Sequence, residues 1–389
     1  MKSKHLAGII TGVSLGISVT VMAIGCVSAA SDDKYSRSKI DQIGKLLQQS
    51  YLREIDDKKV ENNIYAGYVS GLEDPITSYL NEEQLKAQQV LQEGKYIGTG
   101  LQFEWGLNGR YIIITDIVQS SPSARQNIKI GDKITEIDGI KVMLSNETEL
   151  YEKLSYTGDE EVAYTFENND ETNKREIKLT AEVINIKSMA HKIIQNNIGY
   201  ITLFSIKKGA SKELEEQIQA LKASGAQSFI VDTRNVYSNN IEEIYQMSQL
   251  FINEKTVFKV KNKKDEVKEY KTAKAIYDEP TVVLINDRTK GALEAFAAAM
   301  KSAKRGKVIG VTSAGIGRIN EIIPLEDKTG LMVSTGIIYT ANDISLKDAG
   351  VKPDIEVKSS IEGVIELITT GRLNEKNDLQ LMEAIKQLS

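Results

Sequence analysis

Between residues 199 and 310 the chain alternates short apolar runs with helical stretches, and nothing else in it restricts the fold as much. Residues 199–204, 228–232, 281–286 and 307–310 read as strands. The second and third are apolar almost throughout, as expected for strands covered on both faces. Residues 211–224 repeat apolar side chains at helical spacing and stop at Gly225. Residues 241–251 are helical, and 291–303 form a helix rich in alanine. Strands separated by helices pair in parallel through crossover connections, so residues 186–370 are expected to build an α/β core.

The chain has 389 residues, is 41% hydrophobic and carries a net charge of −5. That length holds two or three domains with sizeable cores. Nothing in the charge pattern favours nucleic acid as a partner. The basic run 259–264 is followed at once by Asp265 and Glu266, which suits a solvated hairpin. Lys2 and Lys4 precede an uncharged run to about Ala30, long enough to span a bilayer. Residues 1–30 therefore read as a signal peptide or membrane anchor. Ser28-Ala29-Ala30 suits cleavage, and Ala23-Ile24-Gly25-Cys26 is a weak lipidation signal. Each version leaves the remainder outside the cytoplasm. Cys26 is the single cysteine, so the folded part has no disulfide and no thiol nucleophile. His191 is the sole histidine after His5, so neither a histidine-based metal site nor a Ser-His-Asp triad is expected, and no cofactor is called for.

Residues 31–37 are a polar tether, and 31–93 form an N-terminal helical segment. Ile40, Ile43, Leu46, Leu47 and Tyr51 fall at helical spacing. Further helices are expected at 61–72 and 81–93, the second after the Asp74-Pro75 turn. In residues 94–185, Gly98-Thr99-Gly100-Leu101-Gln102-Phe103 opens a run of strands. Ser121-Pro122-Ser123-Ala124 and Ile130-Gly131-Asp132-Lys133-Ile134 follow, and Asp138-Gly139 makes a tight turn. This pattern resembles a PDZ domain. Its glycine-rich start would offer backbone N–H groups to a peptide carboxylate, the peptide would add a strand to the sheet edge, and a helix at 147–154 would form the other wall. The alternative is a structural barrel with a filled groove.

The turn before the alanine-rich helix reads Asn286-Asp287-Arg288-Thr289-Lys290-Gly291-Ala292-Leu293-Glu294. It resembles the N-x-G-S-A-S-A-S-E segment of the carboxyl-terminal processing proteases, peptidase family S41. Order and motifs match that family over about residues 38–388, including Gly350-Val351-Lys352-Pro353-Asp354 and the closing helix after Asn377. The resemblance implies a multidomain α+β and α/β chain: a PDZ domain plus an S41-type α/β protease core, with helical N- and C-terminal dimerisation segments, the latter at 371–389. It implies a homodimer, or a heterodimer with an active relative.

The family uses a Ser-Lys dyad assisted by a Gln, the Lys being neutral so that it can take the Ser proton. In this chain the corresponding positions hold Gly291, Ile316 and Asn320, within the loop Gly310-Val311-Thr312-Ser313-Ala314-Gly315-Ile316-Gly317. After Asp232 the family's D-L-R-x-N-P-G-G, whose glycines help shape an oxyanion hole, corresponds to Asp232-Thr233-Arg234-Asn235-Val236-Tyr237, which keeps Asp232 and Arg234 but lacks P-G-G, so that site is expected to be rebuilt or blocked. The expectation is that the chain is no enzyme and binds peptide C-termini or partner proteins through its PDZ groove. The alternatives are a serine-type endopeptidase with a relocated nucleophile (Ser313, or Thr289 with Lys290) and a structural envelope protein. In a purely structural role, Thr289 would cap the helix at 291–303 and Glu294 would meet its N-terminal dipole.

Overall fold

The computed structural model describes residues 37–389 apart from 156–157, 168–173, 186, 196 and 371–374. The expected anchor at 1–30 and almost all of the tether lie outside the described residues. Among the described residues no helix is long and apolar enough to cross a membrane.

The helices are α1 (Arg37–Ser50), α2 (Asp57–Ser70), α3 (Glu82–Gln92), α4 (Glu147–Leu154), α5 (Ala210–Ala223), α6 (Ile241–Phe251), α7 (Ala292–Ser302), α8 (Ile361–Thr370) and α9 (Leu379–Leu388). Side chains with spare oxygens start several of them. Asp56 accepts from Lys59 N at the head of α2. Asn81 and Gln84 bond reciprocally at the head of α3. The apolar stripe of α1 has the predicted spacing, yet Ile40, Ile43, Leu46 and Leu47 are all exposed. The segment just ahead of α3 is tied in by hydrogen bonds. There, strand Ser78–Leu80 pairs antiparallel with Gly330–Thr340, which joins the N-terminal segment to the rest of the chain.

The second unit is an antiparallel sheet in the order Leu101–Trp105, Ile112–Ile117, Lys133–Ile137, Glu161–Glu167, Lys174–Thr180. Alternate residues point inward: Phe103, Trp105, Ile112, Ile114, Ile134, Ile137, Tyr164 and Phe166 form its core, with Leu150 of α4 as a lid. Asp138 and Gly139 both take positive φ (48° and 75°), the mirror-image turn that a two-residue connection between twisted strands requires. Leu101–Trp105 is the terminal strand of this sheet.

The third unit has a six-stranded sheet in the order Met189–Ile194, Ile198–Leu203, Ser228–Asp232, Thr281–Ile285, Lys307–Gly310, Ile355–Glu356. The first pair is antiparallel and the others are parallel. Successive side chains alternate between its faces. Phe229, Val231, Val283, Ile285 and Val308 meet α5, α6 and α7 on one side. Ile230, Val282, Leu284 and Ile309 meet Leu381 and Ala384 of α9 on the other. Every residue of α7 from Ala292 to Met300 is buried. Small alanine side chains let this apolar helix lie between the sheet and its neighbours.

Candidate functional site

The strand Thr281–Ile285 ends in a turn that delivers Gly291 to the head of α7. Gly291 has φ 72° and ψ −136°. A Cβ built there would lie 2.4 Å from the Ser238 carbonyl oxygen and 2.9 Å from the Tyr237 ring. Only glycine fits both the backbone conformation and the space. The contact arises because Tyr237–Ser238 pairs in parallel with Lys290–Gly291 as a two-residue strand, Lys290 N donating to Val236 O at 3.0 Å.

Glu294, one turn into α7, is fully buried and gathers the surrounding donors. Its carboxylate accepts from Gly291 N (3.0 Å), Ser313 Oγ (2.6 Å), Gly315 N (2.7 Å) and Gly317 N (3.0 Å). One carboxylate therefore fixes the distance between position 291 and the loop bearing Ile316. The loop itself needs its glycines. Gly317 has φ 49°, and a Cβ there would meet Lys347 N at 2.2 Å. Ile316 is half-buried at the mouth of this loop.

The two candidate hydroxyls are both committed elsewhere. Ser313 Oγ donates to Glu294 and accepts from Val351 N at 2.7 Å. Thr289, fully buried, donates to Thr233 O at 3.0 Å and accepts from Asn286 N at 3.1 Å. Thr289 is therefore not the cap of α7. Gly291 occupies that position, its N–H bonded to Glu294. Lys290 is half-buried beside it. Asn320 directs its amide at the Tyr237 hydroxyl (3.1 Å). Burial pushes the Tyr237 phenol above its ordinary value, which the Asn320 bond partly offsets, although the residue as a whole stays partly exposed.

Arg234, grouped by sequence with Asn235, Val236 and Tyr237, turns away from them. Its guanidinium bonds Asp232 (2.9 and 2.6 Å), Asp378 (2.9 and 2.8 Å) and Gln380 (3.0 Å). Burial alone would lower its pKa, but Asp232 and Asp378 hold it well above the usual guanidinium value. Arg234 thus anchors the head of α9 to the end of a core strand. Val236 is buried, and Asn235 takes the left-handed conformation (φ 63°).

In the antiparallel unit, Gly98 ends the strand Lys95–Gly98, which pairs antiparallel with Glu182–Asn185, and Thr99 and Gly100 bend ahead of the terminal strand. Gly100 has φ 88°, and its carbonyl accepts from Val118 N while that of Thr99 accepts from Ser123 N. Leu101 and Phe103 face the core and Gln102 is half-buried. Trp105 Nε1 donates to Tyr151 OH of α4 at 3.0 Å, joining strand and helix. Glu104 was missed by the sequence reading. It is fully buried, and Arg288 Nη1 lies 3.1 Å from its Oε1. Its Oε2 has no hydrogen-bond partner among the described residues. Burial pushes this carboxyl up, with Arg288 pulling it back. The pair links the terminal strand to the turn before Gly291. No sequence signal marked it, because Glu104 alternates with the core residues Phe103 and Trp105, where a polar side chain is ordinary.

Residues 197–357 match the family model "Peptidase family S41", and residues 91–179 match that of the PDZ domain. The chain is 27% identical over 359 residues to the carboxy-terminal processing protease CtpA of Bacillus subtilis, covering 90% of this chain and 75% of that one. It is 24% identical to a carboxy-terminal-processing protease of Bartonella bacilliformis, covering 90% and 82%. Among solved structures it resembles the photosystem II D1 C-terminal processing protease (TM-score 0.54, 19% identity, 86% and 91% covered). It also resembles mature CPAF complexed with lactacystin (TM-score 0.52, 10% identity, 90% and 98% covered). These structural likenesses speak for the fold. The expectation that the chain is no enzyme is corrected by this company: its sequence relatives are named as proteases, which points to an enzyme.

Proposed function

Because this chain carries a peptidase family S41 domain and a PDZ domain, we propose that it is a carboxy-terminal processing protease homologue working on the free C-terminal ends of proteins outside the cytoplasm. The last residues of the client add a strand beside Leu101–Trp105, and the preceding segment runs towards the α/β core. The observation that carries this reading is the terminal place of that strand in its sheet, linked to α4 through Trp105 and Tyr151 and to the turn at Gly291 through Glu104 and Arg288. Proteolysis is the reaction that the relatives' names bring with them. Ser313 and Thr289 are hydroxyls near the turn; on attack at a carbonyl the Ser313 proton would pass to the Glu294 carboxylate that already accepts it, whereas Thr289 donates to the Thr233 carbonyl and would first have to turn to a base. Residues 1–30 hold the chain to the membrane in this proposal, and the exposed stripe of α1 pairs with a second copy or with a relative.

The test uses residues 31–389 with peptides ending in free apolar C-termini and with an unfolded protein. Fluorescence anisotropy reads binding and mass spectrometry reads cleavage. Binding that is lost when the C-terminus is amidated supports the proposal. Cleavage abolished by Ser313→Ala or by Thr289→Ala assigns the nucleophile. Absence of any C-terminus-dependent binding overturns the reading and leaves a structural role.

A further inference from the structure

The segment 235–240 crosses the front of the site as a strap, and asparagine side chains pin it at both ends. At one end Asn235 N donates to Asn286 Oδ1 (3.0 Å) while Asn286 Nδ2 donates to Asn235 Oδ1 (2.8 Å). At the other, Asn320 N donates to Asn239 Oδ1 and Asn239 Nδ2 donates to Asn320 O, both at 2.8 Å. Between the pins, Tyr237 receives the Asn320 amide and its ring covers Gly291. The middle of the strap bonds to the site turn main chain to main chain, as a bound strand would. The Ser238 carbonyl takes the space that any side chain at position 291 would need.

We propose that the strap is an autoinhibitory contact: the chain's own residues 236–238 occupy the path beside Lys290–Gly291 that an extended client segment must use, and a client displaces them. This inference rests on the reading that a peptide enters from the PDZ edge. Three features make the strap a replaceable occupant rather than a fixed wall. Its hold consists of a few hydrogen bonds to neutral amides, each individually weak in net terms. Tyr237 is 39% exposed, so the middle of the strap already reaches solvent on one side. Asn235 sits in a conformation that non-glycine residues adopt at a conformational cost, which release would relieve. Val236 and Ser238 are the opposing elements, since both are buried and must be withdrawn or act as the hinge.

The experiment is hydrogen exchange of the full chain, with and without a synthetic peptide ending in a free Val-Ala-Ala carboxylate. A length of about twenty residues, at ~3.3 Å per extended residue, lets it run from the groove into the core. Segments 98–103, 233–241 and 286–292 are followed by mass spectrometry, in the native chain and in the Asn239→Ala/Asn320→Ala variant. We expect peptide to protect 98–103 while exchange in 233–241 rises about tenfold. The variant should show that rise without peptide and bind the peptide several-fold more tightly. Where the double variant fails to fold, Asn239→Ser alone gives the same readings with a smaller lesion. Protection of 98–103 with an unchanged strap would overturn the inference and leave the proposed function standing. Protection only in the variant would support the strap as a lock. No protection in either chain would overturn both.

Discussion

The PDZ edge and the head of α7 are built from similar materials and differ in what covers them. Each begins with a glycine at positive φ, Gly100 in one and Gly291 in the other, which turns the backbone sharply. At Gly98–Gly100 the chain then runs into a terminal strand with an unpaired flank. At Gly291 the chain meets its own strap, and the backbone pairing that a client would make is already made. A protein that binds extended segments can leave one docking edge open. A second open edge in its interior would expose unpaired backbone groups, and closing it against the chain itself removes that liability.

The largest expected effects come from breaking what holds the closed site. Glu294→Ala would strip one acceptor from four buried donors, and should lower unfolding free energy by about 3–5 kcal/mol, read from urea unfolding. A loss below about 1 kcal/mol would mean that water or a rearranged loop replaces the carboxylate. Arg234→Met would leave Asp232 and Asp378 facing each other without a cation, at a similar cost of about 3–5 kcal/mol. Exchange in α9 should rise with it, and an unchanged α9 would show that the apolar contacts of Leu381 and Ala384 suffice. Gly291→Ser should cost about 1–3 kcal/mol, because the new side chain meets Ser238 O in a backbone conformation that disfavours it. Combining it with Tyr237→Ala should recover part of that loss, a coupling that a double-mutant cycle would detect.

On the open side the effects are smaller. Tyr151→Phe removes the partner of Trp105 Nε1 and should cost about 1 kcal/mol of stability, with a matching loss of peptide affinity if the cleft depends on that link. Glu104 adds a pH dependence. Its carboxyl titrates above the usual glutamate value in the fold, so the folded state binds the extra proton there. Stability from this group is present below the ordinary glutamate pKa and is lost as pH rises through the raised one. Arg288 is the charge facing it. Glu104→Gln should flatten the urea midpoint over that window, and an identical pH profile in the variant would show that Glu104 does not couple the two units.

Much of the architecture was legible because it follows from local periodicity. Residues 228–232 and 307–310 form the strands expected there, and 147–154 and 241–251 the expected helices. The turn at Asp138-Gly139 was legible too, since few residues accept positive φ in succession. The site was less so. Thr289 looked like a helix cap because a hydroxyl near a helix start usually is one, but two residues separate it from α7 and its bond runs to Thr233. Arg234 sat in sequence beside the strap, yet an extended backbone alternates its side chains, and this one faces α9.

What the sequence by itself determined was the order and type of the elements, because apolar spacing fixes which face of a helix or strand must be buried. It also marked the positions where glycine is obligatory, although not what approaches them. The tertiary structure alone decided the strap and the Glu104–Arg288 pair. Asn235 meets Asn286 across 51 residues of chain, Asn239 meets Asn320 across 81, and Glu104 meets Arg288 across 184. Such contacts leave no periodic trace, since a single asparagine or glutamate reads the same in a loop whether it faces water or a partner. Only folding brings these groups within hydrogen-bond distance, and there desolvation makes each partner necessary to the other.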